Sequence, residues 1–353
     1  MVNVIDNIAQ ITPEWLTELL AEKENLSQGK VIWAQKRSYT TFKSTIVHLD
    51  LEYSVDVPKS IPTKMLLKIT RPEYREQGKH ESDFYNIIAP TMNSSYLVHC
   101  YAATYSFVSD RSYILLDDIS RTHFQPESSL PITRLYAEQI VNCLAHLHAY
   151  WWEHPMLTKD FDSSPSLESI KRFVPSIESM FPEFSDFLGD RLSPTRRALY
   201  EKVFTCWPPP SLLKRLLERT ATTLTHGDAY EGNFLYPNKV AQDNIYIIDW
   251  QDWHINIGTN DLASIFAKNW YPERRVLMEK ELIRSYYIAL MEYGVKQYSW
   301  DQCWHDYRTS AIFNLFWPIF IWTIGAPASI WWPILEKAML AYQDLECEEL
   351  LAG

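Results

Sequence analysis

The chain has 353 residues, of which 46% are hydrophobic and 22% charged, and its formal net charge is −11. This length accommodates two lobes with separate cores, and the composition argues against extended disorder. A nucleic-acid partner would favour a basic face, so the acidic balance opposes one, although it is compatible with a cationic small molecule.

Cysteine usage and the N-terminal sequence indicate the compartment. The five cysteines are an odd number, are widely scattered and form no CxxC pair. They therefore argue against a disulfide framework or a zinc site and for a reducing compartment. Residues 1–10 carry Asp6 and lack both a basic and an apolar region. We therefore expect no signal peptide and a cytoplasmic protein.

The first third of the chain predicts a small antiparallel sheet with helices. Thr12, Pro13 and Glu14 form a helix start, because they supply a cap, a residue suited to the first turn and a favourable charge. Alternating apolar residues predict strands at 31–35, 45–53 and 65–69, followed by a hairpin at 98–105 and 112–116. Residues 36–44, between the first two strands, are predicted to be a polar turn.

Lys68 lies within an apolar strand and points opposite to its apolar neighbours. A lysine in such a position needs an anionic partner, because an unpaired buried ammonium is costly. Glu81, on the following helix together with Phe84, Tyr85 and Ile88, is the predicted partner. The alternatives are a solvated edge-strand lysine and a solvated helix carboxylate.

Beyond residue 117 the hydrophobic periodicity becomes helical. Helices are predicted at 136–151, from Ser193-Pro194, and at 279–293, 301–307 and 335–351. His146 and His148 lie two residues apart on the first of these helices and cannot share a face. They are therefore predicted to be structural or surface residues rather than metal ligands.

The aromatic-rich segment 311–335 is long enough to suggest a membrane span. Several polar residues and prolines interrupt it, namely Asn314, Pro318, Pro327, Ser329 and Pro333. The remaining apolar runs fall short of the ~20 residues that a spanning helix needs. Buried helices of a C-terminal lobe are the better prediction.

Candidate catalytic residues follow one another from 226 to 249. His226-Gly227-Asp228 precedes Asn233, and Asp249 ends the apolar run 245–248. Phosphoryl transfer needs a carboxylate that orients the attacking hydroxyl and oxygen ligands that hold Mg²⁺. Asp228 suits the hydroxyl, and Asn233 and Asp249 suit the metal. The alternative is an ordinary turn and a strand-end carboxylate, but the order and spacing of these residues favour a phosphotransferase.

This motif resembles that of the aminoglycoside phosphotransferase and choline kinase-like superfamily. Ile248-Asp249-Trp250-Gln251 also resembles the corresponding segment of ecdysteroid kinase-like proteins. The resemblance implies an α+β, bilobal protein-kinase-like fold. Its N-terminal lobe would span 1–116 and its C-terminal lobe 117–353, with a hinge at about 116–120. It also implies a small-molecule kinase that transfers the γ-phosphate of ATP to a hydroxyl with the aid of Mg²⁺.

The same resemblance implies roles for particular residues. Asp228 would be catalytic, Asn233 and Asp249 would bind the metal, and His226 and Asp261 would support the catalytic loop. Lys68 and Glu81 would hold the nucleotide phosphates. Further nucleotide contacts are expected from the hinge backbone and from hydroxyls of the polar turn, which has no glycine: Leu116, Asp117, Asp118 and Ile119, and Ser38, Thr40 and Thr41.

Acceptor binding is expected from aromatic residues of the C-terminal lobe. Tyr230, Trp270 and Trp317 are candidates for an apolar or cation–π wall, and packing in the core is the alternative for each. The acceptor would be an apolar or cationic small molecule with a hydroxyl, and neither a nucleic acid nor a membrane partner is expected.

Two rival functions remain. An inactive kinase-like binding or scaffold protein would typically have lost one of the catalytic residues, and all are present. A protein kinase would need a longer segment here to dock a peptide. Only eleven residues separate Asp249 from Asp261, so a small-molecule acceptor is favoured.

Overall fold

The structure is a computed structural model that describes residues 4–5, 7–22, 26, 28–92, 95–127, 130–157, 166–239 and 244–351. The chain forms two compact units. The first unit contains Met1–Pro126 and Asn233–Asp252, and the second contains Glu127–Gly232 and Trp253–Gly353.

Ten strands and eleven α-helices are present in the described ranges. The strands are β1 Val31–Thr40, β2 Ser44–Tyr53, β3 Lys64–Thr70, β4 Cys100–Ser106, β5 Arg111–Asp117, β6 His123–Phe124, β7 Thr223–Thr225, β8 Phe234–Pro237, β9 Tyr246–Ile247 and β10 His254–Asn256. The helices are α1 Pro13–Glu22, α2 Arg75–Asp83, α3 Arg134–Tyr150, α4 Ser166–Leu188, α5 Pro194–Cys206, α6 Pro210–Glu218, α7 Thr259–Ala263, α8 Pro272–Glu292, α9 Trp300–Phe313, α10 Trp317–Thr323 and α11 Ala328–Asp344.

The first unit is built on a five-stranded antiparallel sheet in the order β1-β2-β3-β5-β4. Helix α1 begins as predicted, with the Thr12 hydroxyl accepting a hydrogen bond from the backbone N–H of Trp15 at 3.2 Å. Its apolar side chains enter the core together with alternate residues of the strands. These residues are Trp15, Leu16, Leu19 and Leu20 from the helix, and Val47, Leu49, Leu51, Met65 and Leu67 from the sheet.

The predicted polar turn at 36–44 is wrong in extent, because β1 continues to Thr40. Its residues pair with β2 up to the pair Thr40 and Thr45, so their backbone groups are satisfied even where the side chains are polar. The actual turn is short: the Thr41 N–H donates to the Ser44 carbonyl at 2.8 Å, and the Ser44 N–H donates to the Thr41 hydroxyl at 3.1 Å.

Helix α2 and the turns after it confirm the predicted helix that carries Glu81. The helix continues as a π-helical turn, Phe84–Ile88. Gly78 permits its close approach to the sheet, since a Cβ there would lie 2.1 Å from the Ser112 hydroxyl and 2.8 Å from the Thr70 side chain. A larger residue would push Glu81 away from β3.

The predicted lobe boundary at 116/117 lies at the end of β5, upstream of the end of the first unit. Leu116 and Asp117 belong to β5, and Asp118 and Ile119 follow it. The first unit also includes the returning segment 233–252, because β8 pairs with both β6 and β9. The first unit therefore consists of two separate segments of the sequence, whereas the prediction gave one boundary.

The second unit is mainly helical, with the two-stranded sheet β7-β10. Helices α3 and α5 confirm two predicted helices, and Ser193 caps α5. Helix α8 begins at Pro272, earlier than the predicted 279. Helix α4 was not predicted; it contains Pro175 and Pro182, which argue against a helix when the sequence is considered alone.

The aromatic-rich segment 311–335 forms the end of α9, helix α10 and the first part of α11. Phe316, Ile319 and Trp331 are buried, whereas Ile324 and Ile330 are exposed. None of the helices in the described ranges combines the length and the apolarity that a membrane crossing requires.

Candidate active site

Lys68 is the centre of an ion-pair network in the first unit. Its ammonium lies 2.9 and 2.7 Å from the two carboxylate oxygens of Glu81 and also donates to Asp249. Glu81 is buried, and the Lys68 side chain is 13% exposed. The structure therefore brings together Lys68, Glu81 and Asp249, whose positions in the sequence are far apart.

The network keeps Lys68 protonated. Burial alone would lower the pKa of Lys68, but the charges of Asp249 and Glu81 outweigh it and raise that pKa. Burial and the negative charge of Asp249 raise the pKa of Glu81, against the opposing effect of Lys68. One ammonium thus faces two carboxylates, so a further cation would be stabilised at this place.

Asp249 is held in an unusual backbone conformation. Its φ is 69°, which is left-handed and uncommon for a residue other than glycine. The Gln251 amide donates to its second carboxylate oxygen at 3.1 Å. Trp250 is buried and stacks on Phe84, with ring centroids 4.0 Å apart and planes at 7°. The Ile-Asp-Trp-Gln sequence therefore fixes Asp249 beside the helix that carries Glu81.

Asn233 lies beside the same strand end. The Ile248 N–H donates to the Asn233 carbonyl at 3.0 Å, next to the pair that Phe234 of β8 forms with Ile247 of β9. Asn233 and Asp249 therefore lie on neighbouring backbone segments, and an amide and a carboxylate are the kinds of oxygen donor that fit Mg²⁺. Within the described ranges, no group of three or more His, Cys, Asp and Glu residues is placed to hold a metal.

The loop that carries Asp228, the predicted catalytic residue, follows β7 in the second unit and is held by one carboxylate. Asp261 accepts hydrogen bonds from the backbone N–H groups of His226 at 2.7 Å and Gly227 at 3.0 Å. The Asp228 N–H donates to His226 Nδ1 at 3.3 Å. Gly227 has a φ of 84°, which suits glycine. These contacts are those expected of residues that support the loop carrying Asp228.

His148 is a supporting residue whose role the sequence did not reveal. It is completely buried, with Nε2 3.2 Å from Asp261 and Nδ1 2.7 Å from the Tyr286 hydroxyl. Burial raises the pKa of Asp261. The hydrogen bond and charge of His148 and the contacts with His226 lower that pKa by a larger amount, so the net shift is downward. The available signal was its position among apolar residues of the helix predicted at 136–151.

Comparison with known proteins shows the family of the chain. The model of the ecdysteroid kinase-like family matches residues 72–297. The chain belongs to the ecdysteroid kinase-like family. The match covers Glu81 and the whole run from Asp228 to Asp261, whereas Lys68 and Trp317 lie outside it. A search of curated proteins found no match to the sequence.

Solved structures share the fold of this family member. Wild-type aminoglycoside 2′-phosphotransferase-IIIa in complex with GDP has a TM-score of 0.56 at 13% identity, over 96% of this chain and 100% of that chain. The GDP and kanamycin complex of APH(2″)-IIIa gives 0.54 at 13%, over 96% and 99%. Plasmodium vivax ethanolamine kinase gives 0.54 at 12%, over 88% and 81%. The fold is therefore that of the protein-kinase-like small-molecule phosphotransferases.

The predicted acceptor residues have different environments. Tyr230 is 39% exposed and its ring lies against Gly232, where a Cβ would be 2.5 Å from it. Trp270 is buried and packs edge-on against Phe266 at 4.7 Å. Trp317 is half-buried, and the Lys268 ammonium lies 4.8 Å above its ring. Trp270 is thus a core residue, while Tyr230 and Trp317 retain exposed surface.

Glu231, three residues after Asp228, is a charged residue that the sequence analysis did not select. Burial raises its pKa, and Trp270, Lys337 and Lys268 act in the opposite direction. Lys337 also donates to the Asn269 carbonyl at 2.6 Å. The charge of Glu231 is therefore opposed by two lysines, Lys268 of the π-helical turn Ser264–Asn269 and Lys337 of α11.

The hydroxyls predicted to bind phosphate lie in two different places. Residues directly opposite on antiparallel strands share a face, and Ser38 lies opposite Val47, which lies opposite Leu67 of the core. Ser38, and likewise Thr40, therefore lie on the face opposite to Lys68. Thr41 remains in the turn. At the hinge, the Asp117 carboxylate accepts a hydrogen bond from the Tyr101 hydroxyl at 2.6 Å.

Proposed function

We propose that the protein is a small-molecule kinase that transfers the γ-phosphate of ATP to a hydroxyl group. The observation that carries this proposal is the network in which Lys68 pairs with both Glu81 and Asp249. In kinase-like folds, such a lysine–glutamate pair and a metal-binding aspartate serve the nucleotide phosphates. The structural relatives described as GDP complexes support a nucleotide site in this fold.

The nucleotide would be held by the first unit. The Lys68 ammonium neutralises phosphate oxygens, and Glu81 keeps it oriented toward them. Backbone groups of residues 116–119 bind the adenine, and the turn containing Thr41 lies over the phosphates. Asn233 and Asp249 are the residues that would hold Mg²⁺, which when bound neutralises charge on the transferred phosphate.

Asp228 would act on the acceptor. Its carboxylate hydrogen-bonds the attacking hydroxyl and accepts the proton as the oxygen bonds to phosphorus and the bond to ADP breaks. Asp261 and His226 orient the loop through its backbone. The acceptor is a small hydroxylated molecule contacted by Tyr230 and Trp317.

The scattered cysteines favour a reducing compartment such as the cytoplasm.

The experiment is a screen of hydroxylated compounds with γ-labelled ATP or GTP, Mg²⁺ and mass detection. The panel includes kanamycin, choline, ethanolamine, ecdysteroids and sugars, and folded Asp228→Ala serves as the control. A compound phosphorylated by the wild type and not by the control supports the proposal. Nucleotide binding without transfer to any compound would instead favour an inactive kinase-like binding protein.

A further inference from the structure

The face of the sheet that carries Lys68 can be followed from strand to strand. Lys68 of β3 lies opposite Ile46 of β2 and Ile114 of β5, and Ile46 lies opposite Tyr39 of β1. Because opposite residues share a face, Tyr39, Ile46 and Ile114 lie on the Lys68 face. This is the face that a nucleotide paired with Lys68 must approach.

The adjacent row on this face contains His48. Leu66 lies opposite His48 on one side and Leu116 on the other. This row is two residues from Lys68, roughly 7 Å along the strand. It includes Leu116, the first residue of the hinge. His48 therefore occupies the row between the phosphate-binding lysine and the backbone that would bind the nucleobase.

The His48 ring is held in one orientation. Its Nδ1 lies 2.6 Å from an Asp118 carboxylate oxygen, and at this distance from a carboxylate Nδ1 must carry the proton. The other Asp118 oxygen accepts the backbone N–H of Ser120 at 3.0 Å. The Asp118 side chain is 5% exposed and that of His48 is 23% exposed. The imidazole is thus fixed to the hinge while part of its surface remains open.

An aromatic neighbour extends this surface. The Tyr39 ring lies 6.1 Å from the His48 ring, with the two planes at 29°. Tyr39 is 52% exposed. This pair, an exposed tyrosine and a partly exposed histidine, differs from the opposite face of the same strands, where Val47 and Leu67 are buried in the core. A flat aromatic ligand matches such a surface, because stacking depends on the ring face rather than on particular polar groups.

We propose that His48 and Tyr39 form the wall on which the nucleobase packs, and that Asp118 is the positioning residue for His48. The assignment rests on the proposed nucleotide-binding function of this unit. It adds a side-chain contact to a base that would otherwise be bound only by the hinge backbone. It also explains the role of the Asp118 carboxylate, which orients the imidazole of His48.

The test compares affinities for Mg²⁺-ADP and Mg²⁺-pyrophosphate, because only the first contains a base. His48→Ala is expected to weaken ADP binding about 10- to 100-fold, the range for loss of one base–aromatic stack, and to leave pyrophosphate binding unchanged. His48→Phe, which retains a ring, should bind ADP more tightly than His48→Ala. Lys68→Ala should weaken both ligands. His305→Ala, an exposed histidine of α9, is the matched control.

The outcomes separate the two proposals. If folded His48→Ala binds ADP as the wild type does while Lys68→Ala weakens it, the base wall is wrong and the nucleotide site stands. If His48→Ala weakens ADP and pyrophosphate equally, His48 only supports the sheet, and the inference is overturned. If the wild type binds neither ligand, the proposed function fails together with the inference.

Discussion

The ion-pair network of the first unit and the Asp228 loop of the second are held in different ways. Lys68, Glu81 and Asp249 interact through charged side chains, and an excess carboxylate remains for a cation. The loop is held by backbone N–H groups that donate to the buried Asp261. Charge-changing substitutions should therefore alter ligand binding in the first unit and stability in the second.

The largest expected effect concerns Asp228, the proposed base that the loop carries. Asp228→Ala should lower turnover by ~10²–10⁴, the usual contribution of a positioned base. Nucleotide affinity and the melting temperature should change little, because the loop is fixed by Asp261. Steady-state kinetics with the acceptor found by the screen measure this. Turnover near that of the wild type would remove Asp228 from the mechanism.

Removing Asp261 should affect stability. Asp261→Ala leaves two backbone N–H groups and His148 without their carboxylate, at a cost of about 3–5 kcal/mol. Chemical denaturation measures the free energy of unfolding. If Asp249→Asn lowered the free energy of unfolding by as much as Asp261→Ala does, the contrast between the two regions would be wrong.

Asp261 also predicts a pH dependence. Its folded-state pKa is below the ordinary value, so its contribution is complete at neutral pH and is lost as the pH falls through and below about 4. Between pH 7 and acid, the wild type should therefore lose more stability than Asp261→Ala does. Parallel pH profiles for the two proteins would be evidence against the depressed pKa.

Asp249→Asn should act on ligand binding. It removes a charged oxygen from the proposed metal site and a partner from Lys68, so Mg²⁺-dependent nucleotide affinity should fall about 10- to 100-fold. Calorimetric titration at several Mg²⁺ concentrations measures this. Unchanged affinity and metal dependence would exclude Asp249 as a metal ligand.

The smallest expected effect is that of Glu231→Gln. Burial raises the folded-state pKa of Glu231 above its unfolded-state value. Its contribution therefore becomes destabilising as the pH rises above the unfolded-state pKa, and the loss is complete above the folded-state pKa. The variant should therefore have a slightly higher melting temperature than the wild type at neutral pH, and the difference should disappear in acid. A lower melting temperature at neutral pH would show that the lysine contacts outweigh burial.

The parts of the candidate site that the sequence suggests are those that depend on spacing within a motif, and their roles stay predictions. Asp228, Asn233 and Asp249 were selected in this way, and the unusual position of Lys68 in an apolar strand led to its pairing with Glu81, which the structure confirms. Features set by tertiary contacts were missed. The length of β1 depends on pairing with β2, the side of the sheet that carries Ser38 depends on the register, and the role of His148 depends on the distant Asp261.

Helix boundaries show the same limit. The prolines of α4 argued against a helix, yet its aromatic residues pack on α10, where Phe173 lies 5.9 Å from Trp317. Packing of this kind stabilises a helix that local propensity alone does not predict. The extent of the glycine-free turn shows this limit as well. Three hydroxyls were expected in it, but β1 continues to Thr40, so that of these three only Thr41 lies in the turn.

The most direct test of the phosphotransferase assignment is phosphorus NMR of wild-type protein with Mg²⁺-ATP and the acceptor from the screen. We expect ADP and phosphorylated acceptor to appear in a one-to-one ratio, because Asp228 directs the γ-phosphate to the hydroxyl. Bound ATP that stays intact, or that yields only free phosphate, would contradict the assignment.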